Sequence, residues 1–198
     1  MKKLLKKLRR LSVWLFITPI YLLGRLCYDK KYLTGRYFNR WHFSKGWVWI
    51  LQYWFGQKIL RKNGEVPWPV PPHVGIAAPQ NIHFDPDDMQ NFMAAGIYFQ
   101  GLGGEVVIGK GCVIASGVGL ITANHNPANI EGHLPGASII LGECCWIAKN
   151  AVVLPGIQLG PHTIVGAGAV VTKSFPDGWC VLVGNPAKKI KELPHEAH

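Results

Sequence analysis

Acidic residues are scarce in this sequence. It carries 11 Asp and Glu against 21 Lys and Arg in 198 residues, a formal net charge of +10. The shortage is local. Residues 1–66 hold 15 Lys and Arg against Asp29 and Glu65 alone, whereas residues 67–198 hold 6 against 9. The basic character therefore belongs to an N-terminal module, and one-sided charge of this kind points to a nucleic acid or a membrane surface as partner. Cysteine pairs at metal or redox spacing are missing too. Cys27, Cys112, Cys144, Cys145 and Cys180 form no CxxC and no zinc-like pattern, so the thiols read as small core residues. Their odd number fits a reducing compartment. The N-terminal segment also lacks a long apolar run. Its uncharged stretch, Leu11 to Gly24, is 14 residues long and is interrupted by Pro19, where a spanning helix needs about 20. An in-plane or re-entrant segment is expected. A signal peptide is the competing reading, but no small-x-small site follows Tyr28 and the aromatic-basic pattern continues. With 48% apolar residues, 23 Gly and 14 Pro, the chain is neither disordered nor of low complexity.

What the N-terminal module does contain is basic and aromatic. In MKKLLKKLRRLSVWLF, Leu4, Leu8, Leu11 and Leu15 recur at helical spacing, with Lys2, Lys3, Lys6, Lys7, Arg9 and Arg10 between them. Six of the eight Trp precede residue 70. A basic amphipathic helix followed by Trp and Tyr suits an anionic membrane surface. Residues 1–66 are thus expected to form a helical membrane-associating module, touching the membrane through residues 1–62. The expected location is cytoplasmic, on the inner face of the cell membrane. Packing of the aromatics on a second domain is the alternative, and no nucleic-acid module is legible. NGEVPWPVPPH (63–73) has four prolines in six residues and reads as a stiff linker, extending to residue 81.

From Ile108 the chain repeats every six residues: IGKGCV, IASGVG, LITANH, then LGECCW, IAKNAV, VLPGIQ, LGPHTI, VGAGAV, VTKSFP. The first position is always aliphatic: Ile108, Ile114, Leu120, Leu141, Ile147, Val153, Leu159, Val165 and Val171. The fifth is usually small or β-branched. A repeat of this regularity outranks other signals. Each unit supplies one short strand and one turn, and three make a triangular coil of 18 residues. First-position side chains point inward and stack coil on coil about 4.8 Å apart, and parallel stacking satisfies the backbone. The period breaks once, between Leu120 and Leu141, so the chain after His125 must leave the coil as a loop.

Three stretches carry a resemblance. CWIAKNAVVLPG (145–156), VGAGAVVTKSFP (165–176) and GNPAKKIKEL (184–193) are similar to motifs of the hexapeptide-repeat acyltransferase superfamily, in its galactoside, maltose, xenobiotic and capsule O-acetyltransferase branch. The resemblance implies a mainly β chain. A left-handed parallel β-helix is expected over residues 82–183, with a loop at 126–140 and a tail at 184–198. It implies a homotrimer, acetyl-coenzyme A as co-substrate without a metal, and transfer of acetyl to a saccharide; the membrane-associating module adds the expectation of a polysaccharide or lipid-linked glycan precursor. An N-acyltransferase on an amino sugar and a serine acetyltransferase are alternatives within enzymes. A non-catalytic β-helical scaffold on membranes is the alternative outside them.

The resemblance also assigns residues. LITANHNP (120–127) matches the segment that carries the family's catalytic histidine, which makes His125 the general base. An imidazole can take the proton of a hydroxyl near neutral pH as its oxygen attacks a thioester. Lys149, Ala167, Thr172, Lys173, Lys188 and Lys191 match positions that contact coenzyme A, where lysines suit its phosphates and a solvated face is their alternative; Trp146 walls the pantetheine channel or packs between subunits of the trimer. Gln100, Asn124 and Asp85 are candidates for the acceptor. Asp85, Asp87 and Asp88 suit a turn and helix cap equally well. Asn124 could hold its turn or orient the ring. His133 could share a metal with His125, but no third ligand has matching spacing, and His162 lies two coils along. His83 reads as structural or substrate-facing, and His42, His73, His195 and His198 as surface residues.

Overall fold

A computed structural model describes residues 2–195, with side chains from residue 12 onward. The basic and leucine side chains before Ser12, and His198, lie outside the described residues. The chain divides into two compact units, residues 1–72 and 73–198.

In the first unit, helix α1 (Lys2–Cys27) packs on helix α2 (Lys45–Trp54). Phe16 meets Phe43 at 5.8 Å between ring centroids and Tyr21 meets Trp47 at 6.2 Å, while Gly24 faces Ile50. The pairs ascend together, so the helices run in the same direction. The chain returns between them through short 3-10 turns at Lys30–Tyr32 and Gly35–Tyr37. A Cβ on Gly24 would sit 2.7 Å from Ile50 Cδ1, so any larger residue there requires the Ile50 side chain to shift.

The proline-rich stretch expected as a linker packs into this unit instead. Val66, Trp68 and Val70 are buried, and Trp68 lies 4.9 Å from the Tyr32 ring. Gln57 explains how an extended segment can be buried. The two N–H groups on its Nε2 are shared among the carbonyls of Asn63 (3.1 Å), Val66 (3.1 Å) and Trp68 (2.9 Å), and its Oε1 accepts from Val70 N (3.2 Å) and Tyr28 Oη (3.1 Å). Prolines lack the N–H that would otherwise need a partner. Lys58 Nζ adds bonds to the Gly64 (2.8 Å) and Val66 (2.9 Å) carbonyls. Burial pushes the Tyr28 phenol well above the ordinary tyrosine range.

The second unit is built from three parallel sheets that the chain visits in turn. Gly75–Ala77, Tyr98–Gln100, Gly119–Ile121, Val152–Val153 and Val170–Val171 form the first face. Ile82–His83, Val106–Ile108, Ile139–Leu141 and Gln158–Leu159 form the second. Val113–Ile114, Trp146–Ile147, Ile164–Val165 and Cys180–Val183 form the third, followed by an antiparallel strand, Lys188–Glu192. Each circuit is one turn of a triangular β-helix. All nine first-position aliphatics are buried, each contributing about 1.5–3 kcal/mol. The fifth positions Cys112, Val118, Cys145, Ala151, Ile157, Thr163 and Ala169 are buried as well, whereas Asn124, the fifth position at the break, is exposed.

Both boundaries of this unit lie beyond the expected ones. Gly75–Ala77 is a strand inside the supposed linker, and it pairs with Tyr98–Gln100. Lys188–Glu192, expected as tail, pairs with Cys180–Val183. At the starting end, side chains replace a strand on the third face. Asn91 donates to Cys112 O (2.9 Å) and accepts from Ile114 N (3.0 Å), and Asp88 accepts from Gly111 N (2.6 Å). These bonds occupy edge groups that could otherwise pair with another chain.

Candidate active site

The break in the repeat falls at the corner between the first and second faces. Leu141 and Leu159 lie in register 18 residues apart, but Leu120 and Val153 lie in register 33 apart. Fifteen residues are therefore added to one coil without disturbing its stacking. They are tied at the base, where Ala137 N donates to Thr122 O (2.8 Å) and Leu134 N to Asn124 O (2.9 Å). Thr122 is buried, and its Oγ1 donates to Gln100 O at 2.7 Å with Leu102 O at 3.0 Å. Gly103 and Gly136 touch across the base. A Cβ on Gly136 would lie 2.4 Å from the Gly103 carbonyl carbon, and Gly103 has φ +70°.

Within the loop, His125–Asn126 pairs antiparallel with Asn129–His133, which sets His125 opposite His133. The turn is closed by Asn126 Oδ1, which accepts from Ala128 N (2.9 Å); asparagine before proline favours this geometry. The two imidazoles lie 4.4 Å apart, tilted by 34°. His125 Nδ1 is 2.8 Å from Ile130 O. A carbonyl only accepts, so Nδ1 carries the proton and the neutral ring keeps its lone pair on Nε2. Beside the pair is a cavity of about 250 Å³ lined by Leu102, Gly103, Ala123, His133, Leu134 and Gly136.

The acceptor candidates are placed differently from one another. Gln100 Oε1 accepts from Ala123 N (3.0 Å), so that oxygen shapes the start of the loop. Asn124 is exposed, and its carbonyl holds the loop's return. Asp85 caps the 3-10 segment Pro86–Phe92 by accepting from Asp87 N (2.9 Å), and its Oδ2 lies 3.1 Å from Lys110 Nζ. That contact pushes the Lys110 ammonium above the usual lysine range. His83 is 3.6 Å from Glu105 on the second face.

The cofactor candidates are all exposed but divide into three groups. Thr172 and Lys173 follow the strand Val170–Val171, at the same corner as the His125 loop. Lys149 and Ala167 lie at the corner between the third and first faces, where Gly168 N donates to Lys149 O (2.9 Å). Trp146 lies on the third face between Val113 and Ile164, 49% exposed, with Lys188 and Lys191 in that sheet's last strand. In a triangular coil the third face is opposite the corner that bears His125. One copy of the chain therefore does not bring all of these residues together. His162, at the corner between the second and third faces, stacks on Trp179 at 3.9 Å and is remote from His125. Among the described residues, no group of three or more His, Cys, Asp or Glu could hold a metal ion.

Comparison with known proteins decides the family. The bacterial transferase hexapeptide pattern (six repeats) matches residues 138–173. Galactoside O-acetyltransferase of Escherichia coli is 31% identical over 141 residues, covering 69% of this chain and 66% of that protein. The chain belongs to the hexapeptide-repeat transferase family. Another family relative, the putative colanic acid biosynthesis acetyltransferase WcaF of Escherichia coli, is 39% identical over 89 residues, covering 45% of this chain and 48% of that protein. The chain thus spans about half the length of the first curated relatives it matches. A solved structure described as galactoside acetyltransferase in complex with coenzyme A superposes with a TM-score of 0.56 at 29% identity, covering 64% of this chain and 62% of that one.

As a member of the hexapeptide-repeat family, the chain announced its loop through the broken period. The loop's interior was not announced. The pairing of His133 with His125, and the cavity walls Leu102 and Leu134, follow from hairpin register and corner packing. The only sequence signal was the glycine pair at 103–104 with Gly136 beyond it, small residues where two backbones meet.

Proposed function

We propose that the protein is an acetyl-coenzyme A-dependent O-acetyltransferase acting on a saccharide hydroxyl, with His125 as general base. The observation that carries this reading is the 2.8 Å contact of His125 Nδ1 with Ile130 O. It leaves Nε2 as the acceptor at the mouth of the loop. The acceptor hydroxyl gives its proton to Nε2 as its oxygen bonds to the thioester carbonyl. The imidazolium then returns that proton to the departing thiolate, giving ester and thiol. No covalent enzyme intermediate is needed, and the Ile130 carbonyl stabilises the imidazolium without changing partner.

The coenzyme fits what the surface offers. Lys149, Lys173, Lys188 and Lys191 are exposed cations suited to phosphates, and Trp146 offers an apolar wall. These groups lie on different sides of one coil, so the complete site spans two copies of the chain in a homotrimer. A left-handed coil accords with the galactoside acetyltransferase likeness. The relatives named for colanic acid and lipopolysaccharide biosynthesis support a glycan precursor as acceptor.

The test is His125→Ala, assayed with acetyl-coenzyme A and a panel of oligosaccharides. A base contributes about 10²–10⁴-fold, so kcat should fall by that amount while coenzyme A still binds in calorimetry. Unchanged acetyl transfer would refute the assignment of the base. Absence of coenzyme A binding by the wild type would favour a scaffold.

A further inference from the structure

The first unit has apolar side chains that its core does not use. On α1, Ile17, Ile20 and Gly24 are buried on the side that faces α2. Leu15, Phe16, Leu22 and Leu26 are 59%, 63%, 56% and 86% exposed. At about 100° per residue, Leu15, Leu22 and Leu26 fall on one stripe with Pro19, away from α2. In the sequence the same spacing runs back through Leu11, Leu8 and Leu4. A second set of exposed apolar residues, Leu51, Phe55 and Ile59, recurs every four residues along α2 and the π turn after it, Phe55–Ile59. Trp41 and Phe43 are exposed as well. Contiguous apolar surface with a polar rim marks an interaction site.

Charge selects the occupant. The unit carries 15 Lys and Arg against two carboxylates. Both carboxylates are engaged locally: Glu65 pairs with Arg61 at 3.1 Å, and Asp29 accepts from Lys31 N at 3.1 Å. Arg25, Lys30, Lys31, Arg36, Arg40 and Lys45 are exposed. Protein interfaces are depleted in lysine, whereas an anionic lipid surface favours lysine and arginine beside Trp, Phe and Leu. Among the described residues no helix is long and apolar enough to cross a membrane, and a basic amphipathic helix suits the plane of the interface.

We propose that the first unit docks on an anionic lipid bilayer with α1 in the plane of the interface. Leu15, Leu22 and Leu26 enter the acyl boundary, with Phe16 and its neighbour Phe43 at the edge of that stripe, and the arginines and lysines lie at headgroup level. The proposal is independent of the acetyl-transfer reading.

The experiment is cosedimentation of the full chain with phosphatidylcholine vesicles, pure or containing about one third phosphatidylglycerol. Wild type should bind the anionic vesicles and weaken steeply as salt rises beyond about 0.1 M. Phe16→Asp/Leu22→Asp should lower the partition coefficient at least roughly tenfold. Leu26→Asp alone, at a position with little to disturb in the fold, should lower it by a smaller factor. Ile190→Asp, equally exposed but in the second unit, should leave it unchanged. Far-UV circular dichroism checks that each variant folds. Equal binding to both vesicle types, or undiminished binding by both α1 variants, overturns the proposal. So does lipid-free self-association that Phe16→Asp/Leu22→Asp abolishes without any vesicle binding by wild type, because the occupant would then be a second copy.

Discussion

Replacing Gln57 by leucine would remove all the hydrogen bonds of its amide from the interior of the first unit while preserving most of the volume. The Asn63 and Trp68 carbonyls and the Val70 N–H would lose the partner that Gln57 supplies. A buried polar group left without one costs about 1–3 kcal/mol, so Gln57→Leu should destabilise the unit by about 3 kcal/mol or more. Urea unfolding followed by tryptophan fluorescence would report it. Tyr28→Phe, which removes only the hydroxyl that donates to Gln57 Oε1, should cost about 1 kcal/mol. Equal effects from both changes would mean that Gln57 does not hold the proline-rich stretch. In the sequence Gln57 is one polar residue in an aromatic run, and nothing in its spacing distinguishes it from a surface glutamine. The stretch after it reads as a linker in the sequence because proline content reports stiffness and says nothing about what the stiff segment packs against.

The strands were far more legible than the loop. A first-position aliphatic every six residues can be buried in only one way, and Ile108 through Val171 obey it across the whole stack. The loop follows no such constraint. Its hairpin register, which brings His133 onto His125, is fixed by the Asn126–Ala128 turn and by the ties at its base. Gly136→Ala tests the base directly. The new methyl would meet the backbone of Gly103, and the loop must shift because neither backbone can yield cheaply. Displacement near the chemistry is costly for rate. The expected outcome is a fall in kcat of at least about tenfold, with a melting temperature within about 4 °C of wild type. A variant with unchanged kcat would show that the loop's position does not govern turnover.

At the level of the whole molecule, His125 lies apart from Trp146, Lys188 and Lys191, so the proposed acetyl transfer requires a second copy of the chain. A site shared between copies permits complementation. His125→Ala and Lys188→Ala/Lys191→Ala should each be impaired alone. Co-expression or subunit exchange should restore activity through mixed trimers in which one site joins the intact base of one copy to the intact lysines of another. Sedimentation velocity should show three copies per particle. If mixing never exceeds the sum of the separate activities, the site is confined to one chain. The six-residue period already places these residues on different sides of a triangular coil; what it does not carry is the corner packing around the loop.

The ties at the loop's base also have an evolutionary consequence. Because Ala137 N meets Thr122 O, the coil re-enters its register immediately after the excursion, and the coils above and below are indifferent to how many residues lie between. Closing a loop costs only about 0.6 kcal/mol more for each doubling of its length. Even so, length can change only where the loop makes none of its holding contacts, because Ile130, His133 and Leu134 must keep their places for the corner to present His125 as it does. The stack itself tolerates variation in this segment that the histidine does not.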